Sequence, residues 1–229
     1  MPRAQRTQQE INGVKERILQ EAVELINRVG YQDFSMRMLA RELKVTPPTL
    51  YSYFKNKDEL HLCILTEGFI RLYDILRRAY ESEEKSIDRM RAIGRAFFNF
   101  GIANANFYNL MFSRNVPRYH DYIGTAMEPV ARVEFESFRR TVDLTVSAIR
   151  ECAGEGHTLS EEDATFLLIH VYSALHGFIS SMITNSLDYV HENPVLLRDR
   201  HLDLVNAILM REVKSLSVAE KGREKGSKE

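Results

Sequence analysis

The sequence is poor in the residues that signal covalent cross-links or reactive centres. Its 229 residues include two cysteines and no tryptophan. Cys63 and Cys152 both fall in helical patterns, which excludes a disulfide framework and makes a reducing compartment the simpler setting. There is no Cys-x-x-Cys, no His-x-x-x-His and no Gly-rich phosphate loop. His170 and His176 are six apart, so a helix turns them well off one face. No metal, no cofactor and no catalytic residue is expected. Charge of one sign is also lacking. Lys and Arg number 31 against 32 Asp and Glu, a net charge of −1, so any surface for nucleic acid must be local. No 18-residue run reads as an uncharged apolar span, and the first residues have no apolar core behind their charges. Neither a signal peptide nor a membrane span is therefore expected. Only 6 prolines and 11 glycines interrupt the chain.

What is present is helical period. Ile18, Ala22, Leu25, Ile26 and Val29 repeat at three-to-four spacing, and Gly30 follows where a helix stops in a left-handed residue. Ser35 can cap a second helix with Met36, Leu39, Ala40 and Leu43 on one face. Lys44-Val45-Thr46 then reads as a turn. Thr46 can cap a third, short helix from Pro47 to about Phe54, with proline at its first position, where a missing N–H costs nothing. A long fourth helix is expected from about Lys57 to Tyr80. Beyond a polar break at residues 82–85, helices are expected near 86–102, 104–113, 121–153 (interrupted near Pro129), 161–186 and 195–216. The charged tail, residues 218–229, has no apolar period and is expected to be disordered.

Two short helices joined by a three-residue turn over residues 35–54 have the length pattern of a helix-turn-helix. The run Ser35 to Leu60 strongly resembles the DNA-binding head of the TetR family of bacterial transcription regulators, most specifically in Thr49-Leu50-Tyr51-Ser52-Tyr53-Phe54-Lys55-Asn56-Lys57-Asp58-Glu59-Leu60. The resemblance covers about residues 14–65. Further on, Phe107 to Phe112 and His176-Gly177 look like segments of the subgroup named for a Trp-His-Gly signature, although Tyr172 and Ser173 leave no tryptophan there. Met36 stands where the family often has threonine, and Pro47-Pro48 removes two backbone donors from the third helix.

The resemblance implies an all-α fold with a helix-turn-helix head at residues 1–57. A helical effector-binding and dimerisation domain would follow at 58–217. The residues support this independently. The first 60 hold ten Lys and Arg against eight Asp and Glu, a cationic head on an acidic remainder. With the third helix in a major groove, the candidate DNA contacts are Ser35, Arg37, Thr46, Pro47, Pro48, Thr49, Tyr51, Ser52, Tyr53, Lys55 and Lys57. Tyr51 resembles the family's phosphate-contacting tyrosine. Lys57, opening the fourth helix, would add its charge to N–H groups that attract phosphate. Arg3 and Arg6 form a short arm.

The second region is crowded with aromatic residues and methionine, which by default build a bundle core. Those that could line a site for a small hydrophobic effector are Phe97, Phe100, Asn104, Phe107, Tyr108, Met111, Phe135, Phe138, His170, Tyr172, Ala174 and His176. The last two helices look built for self-association. Ala174, Gly177 and Ser181 form a small-residue strip, and Leu202, Val205, Leu209, Val213 and Leu216 a near-heptad seam. The resemblance implies a homodimer through these helices, a palindromic operator of double-stranded DNA, repression relieved by the effector, and a cytoplasmic location. The competing readings are a helical interaction protein whose head no longer binds DNA, and a ligand-processing helical enzyme. Neither has a signature comparable to residues 35–60.

Overall fold

A computed structural model describes residues 7–112 and 116–219. The Arg3 and Arg6 arm and tail residues 220–229 lie outside them. The elements run α1 (Gln8–Val29), α2 (Met36–Glu42), α3 (Pro47–Tyr51), α4 (Lys57–Glu81), α5 (Ser86–Ala103), α6 (Ala105–Phe112), α7 (Tyr119–Tyr122), α8 (Glu128–Glu151), β1 (His157–Thr158), α9 (Glu161–Ile183), α10 (Arg198–Leu216) and β2 (Val218–Ala219). The fold is all-α apart from one two-residue antiparallel pairing of β1 with β2. That pairing corrects the expected tail: Val218 and Ala219 are held in register opposite Thr158 and His157.

Local chemistry explains the helix ends. Thr7 and Glu10 close a capping box on α1: the Glu10 N–H donates to Thr7 Oγ1 at 3.2 Å and the Thr7 N–H to Glu10 Oε2 at 2.7 Å. Gly30 ends α1 at φ 84°, in the left-handed region that glycine enters without steric cost. The expected single helix over 121–153 is divided. One turn, α7, precedes α8, and Pro129 takes the second position of α8, where no intrahelical N–H is needed.

The packing separates two compact units, and their boundaries fall inside α4, after Arg71, between α5 and α6, after Ala103, and inside α8, after Arg139, rather than at residue 57. The first unit holds the residues up to Arg71 together with Asn104–Arg139. Its core joins Ala22, Leu25 and Ile26 of α1 with Leu39 and Ala40 of α2, Leu50 of α3, Phe54, and Leu60 of α4, all buried. α6 lies against α1, and Asn27 of α1 donates from its Nδ2 to the Asn106 carbonyl at 3.0 Å. Full burial of each such aliphatic side chain contributes roughly 1.5–3 kcal/mol.

The second unit holds Leu72–Ala103 and the residues from Arg140 onward. Here α5, α9 and α10 pack on one another. Ala164, Leu167, Val171, Leu175 and Ile179 form the inward stripe of α9. Leu202, Val205, Leu209 and Val213 form that of α10, and all four are buried within the chain. This corrects the seam assigned to α10: its apolar repeat faces α5 and α9 of the same chain, and Leu209 is fully buried. A second correction concerns α9. Residues 164–187 carry no Asp, Glu, Lys or Arg, and α9 is long and apolar enough to cross a membrane by length and composition. That helix nevertheless spends its inward stripe on a protein core. Its outer side exposes Phe166 by 61% and Ile169 by 58%, which line an open depression together with Glu161, Glu162 and Thr165.

Candidate nucleic-acid interface

The helix-turn-helix is built by three side-chain caps in sequence. Ser35 Oγ accepts the Met38 N–H at 3.3 Å and starts α2. Thr46 Oγ1 accepts the Thr49 N–H at 3.4 Å and starts α3, with Pro47 and Pro48 at its first two positions. Asn56 Oδ1 accepts the Glu59 N–H at 2.8 Å and starts α4, while the Glu59 carboxylate takes the Lys55 N–H. Between α2 and α3 the chain reverses at Lys44, whose φ of 55° is left-handed. The Val45 N–H returns to the Ala40 carbonyl at 2.9 Å and fixes the angle between the helices.

α3 is shorter than expected, five residues, and turns one side chain inward. Leu50 is fully buried, as is Phe54 beyond the helix end. Pro47, Pro48, Thr49, Tyr51 and Ser52 are exposed together, with Tyr51 at 47%. Thr46 and Lys55 are exposed at the two ends, and Tyr53 is half-buried. Ser35 is half-buried and spends its hydroxyl on the α2 cap. The same helix-turn-helix carries Arg37 and Arg41 on α2, Lys44 in the turn and Lys55 after α3, all exposed and all without an ion pair among the described residues. Arg28, by contrast, is paired with Glu42. Arg41 and Lys44 were not among the expected contacts. Their charge was visible in the sequence, but not that the turn would leave both ammonium and guanidinium groups unpaired.

Lys57 is placed differently from the expectation. Its ammonium donates to the Tyr31 and Gln32 carbonyls and sits 4.2 Å from the Tyr31 ring centroid, and partial burial lowers its pKa despite Asp58 and Asp33 nearby. The group braces the loop between α1 and α2 instead of standing free at the helix end. Met36 likewise turns inward, buried in the head, which accounts for an apolar residue where a hydroxyl was expected.

Beneath the head lies a buried polar group that the sequence did not disclose. His61 is fully buried, 4.6 Å from the Tyr31 ring, and neither ring nitrogen has a hydrogen-bond partner among the described residues. Burial pushes its pKa down to about 4. The Tyr31 hydroxyl donates to Asp58 Oδ1 at 3.1 Å, and burial raises its pKa. Only folding brings these three residues together.

The twelve expected effector residues divide evenly between the units. Asn104, Phe107, Tyr108, Met111, Phe135 and Phe138 belong to the first. There Phe69 lies 5.3 Å from Phe138, Tyr119 stacks on Phe135 at 4.9 Å, and Phe107, Tyr108 and Met111 are buried. Phe97, Phe100, His170, Tyr172, Ala174 and His176 belong to the second. Phe97 meets Tyr172 at 6.2 Å, His176 stacks on Tyr172 at 5.3 Å, and His170 is exposed. Within each unit, most of these rings are core packing.

With this geometry in view, comparison with known proteins identifies the family. Residues 18–62 match the family described as "Bacterial regulatory proteins, tetR family", and residues 90–205 match "Tetracyclin repressor-like, C-terminal domain". The chain belongs to the TetR family. That family is one of bacterial regulatory proteins, and the curated relatives are transcription regulators of the helix-turn-helix type rather than enzymes. The C-terminal match does not support the Trp-His-Gly subgroup: Gly177 lies exposed on α9 and His176 pairs with a tyrosine.

Among TetR-family relatives, the chain is 27% identical over 142 residues to the HTH-type transcriptional activator FasR of Mycolicibacterium smegmatis, covering 61% of this chain and 65% of that protein. The chain therefore spans slightly less than two thirds of that relative. It is 24% identical to the regulator YobS of Bacillus subtilis, covering 70% of this chain and 74% of that one. Of solved structures, a tetR-family regulatory protein from Rhodococcus RHA1 superposes with TM-score 0.63 at 18% identity, covering 85% of this chain and 96% of the other. FadR from Bacillus subtilis, solved in complex with stearoyl-CoA, superposes with TM-score 0.64 at 15% identity, covering 84% and 97%. At these identities the likeness concerns the fold.

Proposed function

We propose that this TetR-family regulator binds a palindromic operator as a homodimer and represses transcription until a small hydrophobic effector releases it. The observation that carries the DNA reading is the uncharged, exposed face of α3 in a helix-turn-helix that also exposes Arg37, Arg41, Lys44 and Lys55. Exposed cations suit phosphates, and a slim central helix suits a major groove. The proposed contacts are ten of the eleven residues named from the sequence, with one change of role and two additions. Lys57 acts by bracing Tyr31, and Arg41 and Lys44 join as phosphate contacts.

The homodimer reading rests on α9 and α10. Phe166 and Ile169 are exposed on α9 and Leu204 on α10, while Gly177 leaves open space around its Cα. A second copy is the natural cover for such a face, since two heads on a two-fold axis reach two half-sites about 34–36 Å apart. The hydrophobic effector is supported by the aromatic inventory and by the stearoyl-CoA complex of FadR. α4 contributes to both compact units, which makes it the proposed route from effector to head. A cytoplasmic location follows from this function.

The test is selection of bound duplexes from random and source-genomic DNA, with Tyr51→Phe and Arg37→Ala beside the wild type. A palindrome recovered by the wild type and weakened in both variants supports the reading. FasR is named an activator. The position of the recovered site decides that alternative: overlap with the promoter supports repression, and placement upstream of it supports activation. Titration of the operator complex with a long-chain acyl-CoA tests the effector class. Unchanged affinity across acyl chains counts against it.

A further inference from the structure

The residues of α3 fix what kind of base edge it can read. In the major groove, guanine is typically recognised by Arg or Lys, adenine by Asn or Gln, and cytosine by Asp or Glu; thymine offers a C5-methyl group to apolar contact. The exposed positions of α3 and its end are Pro47, Pro48, Thr49, Tyr51 and Ser52. None of them belongs to the first three classes. The two small hydroxyls, which could read any base, are already engaged. Thr49 Oγ1 lies 2.9 Å from Thr46 Oγ1, and Ser52 Oγ donates to the Thr49 carbonyl at 2.7 Å. The prolines offer ring methylenes and no N–H. What remains is one methyl, two pyrrolidine rings and the Tyr51 ring and hydroxyl, with no Lys or Arg on α3 itself.

We propose that α3 reads the C5-methyl groups of thymines at the centre of each half-site, with Thr49 as the specificity-determining residue. This rests on the operator-binding reading above and deepens it. Burying one methyl is equivalent to about a four-fold change in affinity. The experiment takes the duplex recovered by selection and replaces central thymines one at a time by deoxyuracil, which removes the methyl and preserves base pairing. Binding of the full chain is measured at fixed salt.

Each contacted position is expected to weaken binding about four-fold, and a symmetric pair about fifteen-fold. Replacing a non-contacted cytosine in the same window by 5-methylcytosine serves as the control for a general methyl effect. Thr49→Ser keeps the hydroxyl that meets Thr46 Oγ1 and loses the methyl, so it should bind thymine and uracil duplexes equally at one position. Thr49→Val keeps the methyl and should retain the difference. Circular dichroism of both variants confirms the fold. Specific binding that is indifferent to uracil at every central position, or that falls further when central guanines are replaced by 7-deazaguanine, overturns the proposal and leaves the regulator reading standing. Absence of any sequence-specific binding overturns both.

Discussion

At the scale of single residues, the most informative positions are those where a side chain sits in an unfavourable setting. His61 is an imidazole in a fully buried site whose ring nitrogens complete no hydrogen bond among the described residues, with the Pro117 backbone, Arg118, Asp58 and Lys57 as its polar surroundings. Its folded pKa of about 4 lies below the ordinary value of 6.5. Above pH 6.5 both folded and unfolded chains hold it neutral, and it adds no pH dependence. Between pH 6.5 and 4 the unfolded chain takes up the proton and the folded chain does not, so stability falls as pH falls, by roughly 3 kcal/mol in all. His61→Leu should flatten the acid limb of a denaturation series run between pH 7.5 and 4.5. A limb of unchanged slope would show that other groups carry it. Lys44 is the second such position. A left-handed lysine carries a steric penalty of about 1–2 kcal/mol, partly offset in glycine by chain entropy, so Lys44→Gly should raise stability by up to about 1 kcal/mol. A lower melting temperature would mean that the lysine stem packs in the turn.

At the scale of elements, the helices and their caps were legible because capping is local. Ser35 and Thr46 each cap the helix expected of them, Asn56 and Ser160 cap α4 and α9 by the same local rule, and Leu39, Leu50 and Phe54 lie in the core. Direction of facing was harder to read. An apolar repeat such as Leu202, Val205, Leu209 and Val213 shows that a stripe is buried, not which surface covers it. The chain covers that stripe itself, and the face left over carries Phe166, Ile169 and Leu204. Two substitutions separate these cases. Leu204→Asp should give a folded chain of half the dimer mass by light scattering. Leu209→Asp should lose helicity, because a buried unpaired carboxylate costs several kcal/mol. Dissociation without unfolding in Leu209→Asp would restore the seam to the interface.

The candidate site shows the same division. Exposure of Pro47, Pro48, Thr49, Tyr51 and Ser52 follows from one inward position, Leu50, and is readable from spacing. The bracing of Lys57 against Tyr31 joins residues 26 positions apart and has no local signal. Nor has the meeting of His61 with Tyr31, which depends on how the loop after α1 lies on α4.

At the scale of the whole molecule, a net charge of −1 conceals the distribution that matters. Arg37 and Arg41 of α2, Lys44 in the turn and Lys55 after α3 are four exposed cations without an ion pair among the described residues. Each phosphate contact contributes about 0.9 to the slope of log affinity against log salt. Arg37→Ala and Lys55→Ala should therefore each lower that slope by about 1 while leaving sequence preference unchanged. A change of preferred sequence in either variant would move that residue from the phosphates to the bases.

The most direct test of the account is the selection of duplexes by the wild-type protein, followed by its binding to the recovered site with and without Tyr51→Phe. The account predicts a palindrome with half-sites about one helical turn apart, weakened by Tyr51→Phe with the fold intact. A folded protein that enriches no sequence at low salt would contradict it.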